Sequence, residues 1–199
     1  MVDIRDAFFQ SDPFKYIANC KKDIIVNEEP IPHRLIPWCY EMFEKMYNKE
    51  VMEKFMDRPV YCAGVVGGKA KELSILCRQI YNESIRVGLT NIDQHLLNYF
   101  IHTDSYKNNV FFGTEKMPFA THLNTQRGFW REQDTSYKDE EMILPLATLR
   151  DNKVINSDGE EFAIVHQYDR VTEWIPILQT QFMTDTNISI ALAKHQIGV

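Results

Sequence analysis

The run Val60-Tyr61-Cys62-Ala63-Gly64-Val65-Val66 is apolar throughout and has the length of one strand, and Gly67-Gly68 leads from it into residues 69–81. There Ala70, Leu73, Leu76, Cys77 and Ile80 mark one helical face, so the local order is strand, glycine turn, helix. Upstream, residues 22–27 read as a short β-rich run ending at Glu28-Glu29-Pro30, with Pro30 and Pro32 barring a helix across the junction. The two glutamates are expected to open a solvated loop. From residue 35 to 56, Leu35, Cys39, Met42, Phe43, Met46, Phe55 and Met56 trace the apolar face of an amphipathic helix, broken near Asn48. Strands alternating with helices in this way predict the α/β class.

The 199 residues, 44% hydrophobic and 25% charged, suit one globular domain, residues 1–199, with a sizeable core. A net charge of −6 without a Lys/Arg stripe argues against nucleic acid as partner. Cys20, Cys39, Cys62 and Cys77 lack metal-site spacing and are expected to be reduced. No apolar run is long enough to cross a bilayer, so the chain is expected to be soluble, with no membrane segment.

Further along, residues 109–113 read as a strand, and 118–131 as an irregular region containing Phe119, His122, Phe129 and Trp130, where His122 has no visible partner. Residues 134–141 are polar and acidic. Residues 143–155 are β-rich and close at the Asn156-Ser157-Asp158-Gly159 turn. A buried strand within 161–170 ends in Val165-His166-Gln167-Tyr168-Asp169-Arg170, and the remainder holds Trp174-Ile175-Pro176 and a helix-like segment at 188–193.

Four places carry chemistry. Asp3 and Asp6 flank Ile4-Arg5 ahead of an apolar pair and Asp12-Pro13, which reads as a strand end, a polar turn and a new element. Paired carboxylates at such an end offer hard oxygen ligands to Mg²⁺ or Mn²⁺, although a D-x-x-D string taken alone is more often a solvated turn than a metal site. Cys62, Ala63, Gly64, Gly67 and Gly68 form the second group, where glycine permits a ligand to approach the backbone closely and a tight turn explains the pair equally well. Asp93 and Gln94 open a helix and form the third. A capping box with Asn91 as N-cap and Gln94 three positions later accounts for the same residues. His166 is the fourth; a lone histidine after an apolar run is often structural.

Taken together, D-x-R-D-x-x-F-Q-x-D-P-F at residues 3–14, D-Q-x-x-L-N at 93–98 and the closing V-H-Q-Y-D resemble motifs of the GT-A fold nucleotide-diphospho-sugar glycosyltransferases. This resemblance implies a Rossmann-like mixed sheet flanked by helices. It implies that Asp3, Asp6 and His166 bind Mn²⁺ or Mg²⁺, with Asp169 and Arg170 bracing the histidine. Asp93 and Gln94 would act on the donor sugar, consistent with retention of anomeric configuration. Arg5, Cys62, Ala63, Gly64, Gly67 and Gly68 would line the donor pocket; many relatives have Asn where this chain has Cys62. The implied partners are a nucleotide-sugar donor and a glycan or protein acceptor, in the Golgi lumen or the cytoplasm. In that family a nucleotide-binding βαβ half precedes the acidic motif, so the sequence is expected to be a partial, N-terminally truncated catalytic domain. The alternative is a catalytically inactive carbohydrate-binding or scaffold remnant of the same fold.

Overall fold

The computed structural model describes residues 1–3, 6–124 and 147–183. Arg5, Phe129, Trp130, the acidic stretch 134–141 and the helix-like segment 188–193 lie outside the described residues.

Strand β2 (Ile24–Pro32) is the middle of a three-stranded sheet, antiparallel to β3 (Pro59–Gly68) and parallel to β4 (Val110–Gly113). Its apolar residues Ile24, Ile25 and Val26 are fully buried, as expected of a strand covered on both faces. Ile24 and Val26 pack with Val66, Leu76, Leu97, Ile101 and Val110 under two helices, α4 (Ala70–Val87) and α5 (Asp93–Ile101). A second three-stranded sheet has β8 (Ile164–His166) in its middle, antiparallel to β1 (Ala7–Phe9) and parallel to β5 (Ala120–His122). Among the contacts that join the sheets, the Asn27 amide on β2 donates to the Ala120 carbonyl on β5 at 2.9 Å, and Val2, just ahead of β1, bridges Val65 of β3. The fold is therefore mixed α/β, with mixed sheets and helices. Among the described residues no helix is long and apolar enough to cross a membrane.

The remaining elements are α1 (Phe14–Asn19), α2 (Pro37–Met46), α3 (Lys49–Glu53), the hairpin of β6 (Thr148–Arg150) and β7 (Lys153–Ile155), and α6 (Ile175–Met183). The predicted break at Asn48 falls between α2 and α3, where its side chain caps α3 by accepting from Val51 N at 2.9 Å. Asp151 and Asn152 take positive φ (51° and 62°) between β6 and β7, the backbone that a two-residue hairpin turn demands.

Four expectations need correction, the first being the irregular reading of 118–131, where Ala120–His122 form β5. Glu28 and Glu29 do not open a solvated loop: β2 runs on to Pro32 and both glutamates are buried. The prolines are tolerated because β4 pairs only as far as Asn27, leaving β2 an edge strand beyond it, with register shifts on the β3 side. Gly67 and Gly68 are not a turn but the last residues of β3. A Cβ at Gly68 would lie 2.4 Å from the Asp23 carbonyl and one at Gly67 2.7 Å from Phe119 Cζ, so both glycines serve the protein's own packing. Finally, the capping box does not form. Asn91 sits at φ 57°, and α5 starts behind Ile92 without a side-chain cap.

Asn98 secures α5 to β3 instead. This fully buried amide accepts from Tyr61 N at 2.9 Å and donates to Tyr61 O and Gln94 O, both at 2.7 Å. Asn98→Ala is expected to destabilise the fold by about 2–4 kcal/mol, since it strips buried backbone groups of partners. Urea unfolding should show a lower midpoint at unchanged m-value; a midpoint within error of the parent would refute the tether.

Candidate metal centre

Register brings the histidines together. In the parallel pairing of β5 with β8, His122 stands opposite His166, and in the antiparallel pairing Ala7 stands opposite His166, which sets Asp6 beside the imidazole. Asp6 is further fixed through its backbone carbonyl, which accepts from Gln167 N at 2.6 Å. Asp3 is held from the other side by its own N–H, donated to Gly64 O at 2.7 Å. The resulting Asp3, Asp6 and His166 offer one ligand atom each, all within 4.8 Å of one another.

His166 and Asp6 are buried at 3% and 4% exposure, so their polar atoms have little recourse to bulk water. His166 Nε2 lies 3.4 Å from Asp6 Oδ1, near enough for attraction but too poorly aligned for a hydrogen bond, and neither atom has another hydrogen-bond partner among the described residues. A buried nitrogen and a buried carboxylate oxygen left in this state are what a cation would satisfy. Burial lowers the His166 pKa, and the Asp6 and Asp3 charges pull the other way. The neutral ring that burial favours has a lone pair to give. Two oxygens and one nitrogen form a hard donor set, which fits Mg²⁺ or Mn²⁺.

Gly64 makes room for this histidine. A Cβ there would sit 2.2 Å from His166 Cε1 and 2.4 Å from Nε2, so only glycine lets the ring occupy the centre. The other face of the ring meets His122, with the two Nδ1 atoms 3.0 Å apart, and Cys62, whose Sγ is 3.6 Å from His166 Nδ1. Cys62, His166 and Asp6 thus line up like a thiol, a base and an orienting acid. They do not form an activated nucleophile: burial first, then the Glu29 carboxylate, push the thiol well above its ordinary value.

The centre lies in a cleft of about 990 Å³ whose lining includes Asp3, Asp6, Cys62, Asp93, Gln94 and His166. Ala63 and Gly64 also line it, whereas Gly67 and Gly68 line a separate, mostly apolar hollow with Phe14, Ile17 and Phe119. Gln94 reaches β3, where its side-chain oxygen accepts from Ala63 N at 3.3 Å. Arg170 faces the same cleft and pairs with Asp169 at 3.4 Å; the Asp169 charge acts on His166 from the adjoining turn.

Compared with protein-family models, curated proteins and solved structures, the chain matches none.

The centre therefore rests on its own geometry. Sequence reasoning assembled Asp3, Asp6 and His166, and missed His122 and the buried Glu29. The signal for His122 was present in Phe119-Ala120-Thr121-His122, which ends on histidine after a short strand as Ile164-Val165-His166 does.

Proposed function

We propose that this chain carries the catalytic centre of a metal-dependent glycosyltransferase, which moves a hexose from a nucleoside-diphosphate sugar to a hydroxyl of a glycan or protein acceptor. The observation that carries the reading is the convergence of Asp3, Asp6 and His166 at one cleft with Asp93 and Gln94, from segments far apart in sequence. The GT-A-type motif order supports it.

Asp3, Asp6 and His166 would hold Mn²⁺ or Mg²⁺. When bound, such an ion neutralises charge accumulating on the departing diphosphate. Arg170, paired with Asp169, also lines the cleft. Asp93, at the start of α5, accepts hydrogen bonds from sugar hydroxyls. Gln94, anchored by its oxygen to Ala63 N, keeps α5 in register with the strand beneath the sugar. Cys62 presents a protonated thiol in place of an amide, so it contributes packing against the donor rather than a strong hydrogen bond.

Calorimetric titration of the chain with Mn²⁺, followed by UDP- and GDP-sugars, is the test. The expected result is heat that vanishes with EDTA and falls at least about 10-fold in apparent affinity in Asp3→Asn and Asp6→Asn, as loss of metal-supporting groups does. Sugar binding indifferent to EDTA and to both substitutions would mean a carbohydrate-binding protein without transferase chemistry.

A further inference from the structure

The acidic side of His166 is only half of its surroundings. On the opposite side Cys62, His122 and His166 again offer one ligand atom each within 4.8 Å of one another, and all three are buried. This donor set is chemically different, with one sulfur and two imidazole nitrogens, which suits Zn²⁺ and other borderline or soft ions and not Mg²⁺. The sulfur–nitrogen spacing fits as well, and the two nitrogens, now at hydrogen-bond distance, need to part by only about 0.4 Å. Tetrahedral zinc with ordinary bond lengths separates nitrogen from sulfur by roughly 3.6 Å and two nitrogens by roughly 3.4 Å. Here Cys62 Sγ is 3.6 Å from His166 Nδ1, and the two Nδ1 atoms are 3.0 Å apart. Cys62 and His166 both line the cleft, and the fully buried His122 stands behind them.

We propose that Cys62, His122 and His166 form a second cation site, selective for Zn²⁺ over Mn²⁺ or Mg²⁺, and that it shares His166 with the acidic cluster so that the two sites exclude one another. The exclusion follows from the imidazole. A neutral ring has one N–H and one lone pair. With a hard ion taken on the carboxylate side, the lone pair is on Nε2 and Nδ1 carries the hydrogen, donated to His122 Nδ1. Zinc on the sulfur side takes the lone pair at Nδ1, so the hydrogen moves to Nε2, the nitrogen 3.4 Å from Asp6 Oδ1, which then has no lone pair for a hard ion. Zinc binding replaces the S–H bond of Cys62 with a zinc–thiolate bond and releases the thiol proton to solvent. The soft site stands on its own geometry; only the exclusion of Mn²⁺ rests on the hard-ion site of the proposed function.

The experiment is a Co²⁺ titration of the reduced chain carrying Cys20→Ser and Cys77→Ser, which removes the two partly exposed thiols outside the site. One equivalent of Co²⁺ should bring up sulfur-to-cobalt charge transfer in the near ultraviolet, with intense visible bands of four-coordinate cobalt. Zn²⁺ should bleach them and excess Mn²⁺ should not. Adding Cys62→Ser should abolish the charge-transfer band and weaken Zn²⁺ by more than the roughly 10–100-fold that losing a supporting partner costs. His122→Gln, which keeps the sulfur, should leave a band at much weaker affinity, so the proposal stays testable if the serine variant misfolds. Asp3→Asn should keep the band intact. In the same samples Zn²⁺ should release bound Mn²⁺, read by electron paramagnetic resonance. No band in the parent, or a band unchanged by both Cys62→Ser and His122→Gln, overturns the soft site. Simultaneous binding of both ions overturns the exclusion. Absence of Mn²⁺ binding with the cobalt band present would overturn the hard-ion site and leave the soft one standing.

Discussion

Acidifying the protein from pH 6.5 to about 4 is expected to remove on the order of 5 kcal/mol of stability through His33 and His95. Both imidazoles are about 1% exposed and sit in an aromatic layer, where His33 packs on Phe43 and Phe55 and His95 on Trp38 and Phe43. Burial pushes His33 down to about 3 and His95 to about 4. Since these folded-state values lie below the unfolded one, the unfolded chain takes up more protons as pH falls below 6.5. Stability is thus complete above pH 6.5 and is lost as pH drops toward the folded values, at roughly 1.4 kcal/mol per pH unit for each ring. His102, lowered to about 4, acts in the same direction. Glu28 acts against it, because burial raises its pKa and the folded chain then gains a proton before the unfolded one does. A loss of this size rivals the whole stability of a domain, typically about 5–15 kcal/mol. Urea midpoints measured in EDTA should therefore collapse between pH 6.5 and 4.5; midpoints flat across that window would show that these rings are not buried neutral.

Gly64→Ala is expected to disable the metal centre outright. The new methyl would have to occupy space 2.2 Å from His166 Cε1, and any shift of the ring takes it away from Asp6, Cys62 and His122. Overpacking of this kind costs about 1–3 kcal/mol. The greater effect is on binding, because tilting the ring removes both Nδ1 and Nε2 from their partners. Mn²⁺ and Zn²⁺ affinities should fall together, while far-ultraviolet circular dichroism stays unchanged. Gly88→Ala separates the steric effect from a general glycine effect: Gly88 has a left-handed φ of 72° and nothing within 4 Å of its would-be Cβ. It should cost only roughly 1–2 kcal/mol of stability and leave metal affinity alone. Parental metal affinity in Gly64→Ala would mean that the ring does not lie where the glycine allows it.

The local elements were legible in the sequence where periodicity and turn chemistry act over a few residues. The β3–α4 order, the break at Asn48 and the buried run ending at His166 are all read from neighbours along the chain. Asp3, Asp6 and His166, which the structure brings together, were singled out for another reason: few residue types carry such chemistry, and the motif resemblance marked them. Pairing across long separations is a different matter. Nothing near Glu28 shows that β2 continues as a covered edge strand and buries its carboxylates, and nothing near Asn91 shows that its backbone turns left-handed while Asn98 does the anchoring.

The sequence by itself determined several of the short strands and helices, and which side chains carry donor atoms, because both depend on residue type and on spacings of a few residues. Only the tertiary structure decided that His122 stands opposite His166 and that Cys62 meets both, so that one imidazole has carboxylate oxygens on one side and sulfur on the other. Strand register is a long-range choice, made by the packing of β1, β5 and β8 together, and a shift of one residue would turn His122 to the opposite face of the sheet.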